Sequence, residues 1–215
     1  MQINSDLIRP VILHSAALDW VPSPAKGVDR KMLYREGAEV ARATSIVRYA
    51  AGSAFPQHTH TGGEEILVLE GTFQDEHGDY PTGCYFRNPP GTAHSPAAKD
   101  GCVIFVRLWQ FRQGDAAQIV RQPSEATGVL FDDGYERVLV ENWSGTVTHP
   151  NPRGLELLVL DGDFTTEGQT LTRHSWMRLP AGTDLNGACG PKGVKAWIKD
   201  APLQHADVLQ IPPRT

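Results

Sequence analysis

Glu65-Ile66-Leu67-Val68-Leu69-Glu70-Gly71-Thr72-Phe73 returns 91 residues later as Glu156-Leu157-Leu158-Val159-Leu160-Asp161-Gly162-Asp163-Phe164. At the same offset Pro89-Pro90-Gly91-Thr92 returns as Pro180-Ala181-Gly182-Thr183, and His58 as His149. Matches at one spacing mark two copies of one fold. Each copy of the segment is a short apolar run closed by an acidic residue and a glycine, the signature of a β-strand ending in a turn. Moving outward, Ala43–Tyr49, Val103–Gln110 and Arg137–Asn142 are similar runs, and Gly, Pro, Asp or Asn separate nearly all of them. The stretch from Asp115 to Thr127 has room for a turn of helix, which Pro123 limits. The expected class is all-β, with the two copies meeting in the polar stretch 112–128. That gives expected domains at 1–112 and 113–215, each long enough for a small barrel.

Composition narrows the function classes. The chain has 215 residues, with 25 acidic and 20 basic side chains and a net charge of −5. No basic patch is available to neutralise phosphates, so nucleic acid and anionic membrane surfaces are not expected partners. No apolar run approaches the roughly 20 residues of a membrane span. The N-terminal stretch lacks a basic segment followed by a long apolar one, and secretion is not expected. Cys84, Cys102 and Cys189 have no CxxC spacing, which fits a reduced, cytoplasmic chain. Cys84 and Cys102 read as small buried hydrophobes.

The chemistry sits in the first copy. Gly52 is followed after five residues by His58-Thr59-His60, after three more by Glu64, and after six more by Gly71. A second string runs Gly83, five residues, Pro89-Pro90-Gly91, two residues, His94. Side chains two apart on a strand share a face, so His58 and His60 can converge. Thr61-Gly62-Gly63 lets the chain bend, Glu64 opens the next strand, and the Gly91 turn delivers His94. Three imidazoles and one carboxylate suit Fe(II), Mn(II), Zn, Ni or Cu. Glu65 is a rival ligand, ranked second because alternation turns it away from Glu64. In the second copy the 91-residue offset places Asn151 at His60, Leu155 at Glu64 and Leu185 at His94, so that site is expected to be lost and His149 to be structural. His14, His77, His174 and His205 have no partner at ligand spacing, and His77 lies in a hairpin tip, Gln74–Asp79. Arg48, Tyr85, Arg87 and Arg107 lie in expected strands, from which they could orient an anionic or carbonyl substrate, or pack on an outer face.

These two strings resemble the two motifs of the cupin superfamily, G-x5-H-x-H-x3-E-x6-G and G-x5-P-x-G-x2-H, with Ala98 where the second motif usually continues to Asn. Residues 18–112 resemble more closely the cupin domain of ChrR-type anti-sigma factors, through Trp20-Val21-Pro22, Arg30-Lys31-Met32-Leu33, Thr44–Tyr49 and the block from His58 to Pro96. The resemblance implies a tandem pair of cupin barrels, the second degenerate, and His58, His60, Glu64 and His94 as ligands to one divalent metal. Fe(II) or Zn is the first expectation, and Mn or Ni is compatible. ChrR carries a zinc-binding, sigma-factor-binding domain before its cupin. No Cys/His ligand set precedes the cupin here, so sigma-factor binding is not expected.

By resemblance to ChrR-like and acetylacetone-cleaving cupins, the leading expectation is a metal-dependent dioxygenase acting on a small diketone or hydroxy-ketone. The alternatives are a non-enzymatic sensor or ligand-binding module with a separate signalling partner, and a structural zinc cupin. A homodimer is compatible with all three. Catalytic residues beyond the metal ligands are not assigned.

Overall fold

The computed structural model describes residues 1–203 and 207–212, and His205 lies outside them. Strands dominate, and the described residues hold no α-helix, only a 3-10 turn at Ser15–Ala17. No helix is long and apolar enough to cross a membrane. The expected strands are present as Ala41–Tyr49, Glu64–Asp75, Cys102–Leu108, Arg137–Trp143 and Leu155–Thr166.

The chain divides into two compact units. The first holds Met1–Ser5, Trp20–Ala126 and residues 207–212, the second Asp6–Asp19 and residues 127–203. This differs from bounds at 1–112 and 113–215, for a reason local sequence does not display. The strand Val11–Leu13 pairs antiparallel with Trp176–Leu179 and so belongs to the second unit. Ile119–Arg121 pairs with Tyr85–Asn88 and belongs to the first. Ile119–Arg121 also occupies the stretch expected to hold a helical turn, where the edge of a sheet offers ladder hydrogen bonds that a Pro-limited helix could not match. Residues 207–212 return to the first unit, where Leu209 donates its N–H to the Phe111 carbonyl.

In the first unit the main sheet runs in the order Gln2–Ile3, Val28–Gly37, Ala41–Tyr49, Cys102–Leu108, Glu64–Asp75, Tyr85–Asn88, Ile119–Arg121. All these pairings are antiparallel. Alternation sorts the side chains into two faces. Val28, Val47, Ile66, Val68, Ile104 and Val106 form the interior core with Phe73 and Phe86. The run from Glu64 to Leu69 is buried throughout, so both faces of this strand are covered. That is why the segment reads as continuous apolar sequence rather than alternation.

The second unit repeats the design around Leu185–Asp200, which pairs with both Arg137–Trp143 and Leu155–Thr166. Its core is built from Leu139, Leu155, Leu157, Val159, Phe164, Met177, Leu185, Ala196 and Ile198, among others. The repeat extends to cross-strand partners. Glu65 lies opposite Arg87 in the first unit, and Glu156 opposite Arg178 in the second.

The repeated glycine closes the same bulged strand in each unit. Gly71 has φ +71°, and a Cβ there would lie 2.3 Å from the Gly101 carbonyl oxygen. Gly162 has φ +76°, and its Cβ would lie 2.1 Å from the Gly193 carbonyl oxygen. A side chain at either place combines a disfavoured left-handed backbone with a backbone clash. Gly71→Ala and Gly162→Ala are each expected to destabilise their own unit by about 2–4 kcal/mol, read as a lower midpoint in urea unfolding.

Candidate metal centre

Two short segments carry the histidines. His58–Thr59 pairs with Ala93–His94, which sets His94 opposite His58. The ladder continues past the strand, where the His60 N–H donates to the Thr92 carbonyl (2.8 Å) and the Gly91 N–H to the His60 carbonyl (2.9 Å). The proline-glycine turn is thus stitched to the His-x-His segment, and His94 arrives beside residues 34 and 36 positions earlier in the chain. Gly62 leaves the bend room. A Cβ there would fall 2.0 Å from the Trp109 ring.

The donor nitrogens of His58, His60 and His94 lie within 4.8 Å of one another. The ring centroids are 4.5 Å apart for His60 and His94, and 5.1 Å for each of the other two pairs. His58 is exposed, while His60 and His94 are buried. Glu64 enters from the adjoining strand, its Oε1 3.3 Å from His60 Nε2 and 3.4 Å from His94 Nε2. Donors about 2.1 Å from a shared ion stand roughly 3–3.4 Å apart, which the separations of Glu64 from His60 and His94 match.

Electrostatics leads to the same place. Burial, reinforced by the neighbouring His94 and His58, pushes the His60 imidazole down to about 3. His94 is also lowered by burial, against the pull of Asp75. Burial pushes the Glu64 carboxyl up to about 7, although a hydrogen bond from Asn88 works the other way. His60 Nε2 is buried with no hydrogen-bond partner. An orphaned imidazole nitrogen beside a carboxylate that burial disfavours is costly without a cation. A divalent ion would resolve both penalties, and the cluster of His58, His60 and His94 could hold one.

Outer partners fix each donor. His94 Nδ1 lies 3.2 Å from Asp75 Oδ2. Asp75 Oδ1 in turn accepts from the His77 N–H (2.8 Å) and the Tyr80 hydroxyl (3.1 Å). His60 Nδ1 pairs with Thr92 Oγ1 at 3.0 Å, and Asn88 Nδ2 donates to Glu64 Oε1 at 3.0 Å. Carboxylate–histidine pairs of this kind set the tautomer and ring orientation of metal ligands. Asp75 had no signal in the sequence beyond membership of a polar hairpin tip. The structure shows that hairpin, Gln74–Asp79, with Asp75 at its buried edge and Glu76 accepting from the Ser95 N–H beside His94.

Glu65 is on the other face. It accepts from the Tyr85 hydroxyl (2.6 Å) and from Arg107 (2.7 Å), away from the histidines. Tyr85, Arg87 and Arg107 therefore serve a buried polar layer, in which Arg87 is held by Asp115 at 2.7 Å. Arg48 pairs with Asp29 and stacks on Trp20 at the surface. None of these four lines the cavity beside the histidines. That cavity has a volume of about 590 Å³, and its wall includes Val47, Tyr49, Phe55, Val106, Leu108 and Trp109 with His58, His60 and Glu64. It also includes Arg30, which the sequence did not single out as a substrate-facing residue.

In the second unit the corresponding positions are structural. Leu155 and Leu185 are buried in its core. Asn151 spends its amide on the Pro180 and Thr183 carbonyls and accepts from the Gly154 N–H. His149 is half-buried, 6.0 Å from the Trp143 ring. Among the described residues, His58, His60 and His94 form the one cluster suited to a metal.

Comparison with known proteins agrees with this fold. The family of ChrR cupin-like domains matches residues 9–112. Residues 9–112 are a cupin domain. No curated protein is similar enough to this cupin to count as a relative. Three solved structures share the fold at 14% identity each. A Nostoc punctiforme protein with a provisional dioxygenase assignment has a TM-score of 0.71 and covers 96% of this chain and 88% of its own. The Escherichia coli pirin YhhW in complex with nickel(II) has a TM-score of 0.68, with 90% and 99% coverage. E. coli YlbA has a TM-score of 0.70, with 91% and 92% coverage.

Asp75→Asn keeps the size of the side chain but removes the charge facing His94. It is expected to weaken metal affinity roughly tenfold, measured by competition with a chromophoric chelator, with the strand content unchanged by circular dichroism.

Proposed function

We propose that this cupin is a metal-dependent dioxygenase-like enzyme acting on a small diketone or hydroxy-ketone, with His58, His60, Glu64 and His94 holding one divalent ion, Fe(II) in the active form. The observation that carries the reading is the placement of His58, His60 and the buried Glu64 carboxylate in the wall of a mostly apolar cavity, with His94 clustered against them. A purely structural site needs no such cavity, and a cavity of this size suits a small organic ligand. Four protein donors saturate tetrahedral zinc but leave two positions on an octahedral ion.

When bound, the ion supplies Lewis acidity toward the substrate's oxygen atoms and a redox centre for dioxygen. The remaining work falls to the chain. Glu64 acts as a ligand, held by Asn88, rather than as a base. Tyr49 lines the same cavity, and burial, with Glu64's charge nearby, raises its phenol well above the ordinary range, so it keeps its proton as a donor to substrate oxygen. Val47, Val106, Leu108 and Phe55 exclude water from the ligand. Three unpaired cysteines support a reducing, cytoplasmic setting. The match to ChrR cupin-like domains favours a second reading, a sensor that passes its state to a separate partner protein.

The Fe(II)-loaded protein is expected to consume dioxygen with at least one member of a panel of diketones and hydroxyacetophenones. His60→Ala and Glu64→Ala should fall at least about a hundredfold, toward background. An oxygen electrode reads the outcome. Uptake no greater than in the two variants across the whole panel would sink the enzyme and leave the sensor reading, for which a pull-down with and without oxidant is the next measurement.

A further inference from the structure

Arg30 occupies an unusual position. It lies on the strand Val28–Gly37, two residues from Val28, so both side chains take the interior face. Its register partner is Val47, whose own partner on the next strand is Ile104, and both belong to the apolar core. A guanidinium thus emerges from an apolar row into the cavity that the histidines line.

Other arginines of this unit have their terminal nitrogens engaged by protein oxygens. Arg87 is held by Asp115 and the Ala117 carbonyl. Arg107 is held by Glu65 and Gln110. Arg42 is held by the Leu209 carbonyl, and Arg35 by backbone carbonyls of Ala38 and Glu39. Arg30 is 19% exposed, and its Nε is buried without a hydrogen-bond partner. Among the described residues its one ion pair is a 4.0 Å approach to Glu39, whose side chain is 72% exposed. So long and solvated a pair contributes little. A largely desolvated guanidinium with free donors matches a carboxylate, which it can grip with two parallel hydrogen bonds.

We propose that Arg30 anchors a carboxylate of the substrate, so that the ligand is a small organic acid with a diketone or hydroxy-ketone group directed to the histidines. This rests on reading the cavity as a substrate site, and it narrows the substrate from neutral ketones to keto acids. Arg30 binds and orients the ligand, while the oxygen chemistry stays at the His58, His60, Glu64 and His94 cluster.

Succinylacetone tests the assignment, because its carboxylate is two methylenes away from the diketone and cannot join the same chelate. The control is the neutral diketone in which a methyl group replaces that carboxylate. Both are titrated calorimetrically into the Fe(II)-loaded protein under argon. The wild type is expected to bind succinylacetone about tenfold or more tightly than the neutral compound. Arg30→Met should erase that preference while leaving the affinity for the neutral compound within about twofold. Arg30→Gln, closer in shape and polarity, should do the same, and whichever variant melts like the wild type decides. Equal affinities in the wild type, binding of neither compound, or a preference that survives loss of Arg30 would overturn the proposal. Turnover is measured separately in air. A preference for the acid that depends on Arg30, without oxygen uptake, would remove the dioxygenase and keep the anion site.

Discussion

Glu64 and Glu65 are neighbours in sequence, and the pleat of a single strand sends them into opposite surroundings. Glu64 meets the His60 and His94 imidazoles at the wall of a cavity, while Glu65 meets Tyr85 and Arg107 in a layer of buried hydrogen bonds. Both are desolvated, and each is compensated differently. Glu65 has a permanent guanidinium within 2.7 Å. Glu64 has only an amide from Asn88 and neutral imidazoles, which leaves room for a cation to complete the balance. A slip of one residue in the register of Glu64–Asp75 would exchange these partners and destroy both sets of contacts at once. Register along this strand is therefore the condition on which the site and the buried layer both depend.

Local rules were enough to find much of this. The spacing of His58, His60, Glu64 and His94, the bend at Thr61–Gly63 and the preference for Glu64 over Glu65 all follow from strand parity and turn chemistry, which act over a few residues. Asp75 and Arg30 were not legible in the same way. A polar residue in a hairpin looks solvated until the fold lays His94 against it, and an arginine in a strand could face either side until its neighbours are known. The compact units differ from the expected bounds for a related reason. A strand of three residues, Val11–Leu13, carries too little pattern to announce which sheet edge it will complete.

The second unit shows what the scaffold needs when no metal chemistry is asked of it. Gly162 and the Glu156–Arg178 register pair repeat Gly71 and the Glu65–Arg87 pair, which belong to backbone closure and the buried layer. Leu155 and Leu185 replace Glu64 and His94 with side chains that fill the core. Asn151 turns a ligand position into a brace for the turn at Pro180–Thr183.

The threading of the first twenty residues has a consequence for how the chain can be divided. Gln2–Ile3 completes one sheet, and eight residues further on Val11–Leu13 completes the other. A single cut near residue 126 would leave the second unit without the strand that covers Trp176–Leu179, exposing ladder donors and acceptors along a hydrophobic edge. The two copies, although alike in sequence, are no longer interchangeable modules: the chain's N-terminus makes their solubility a joint property.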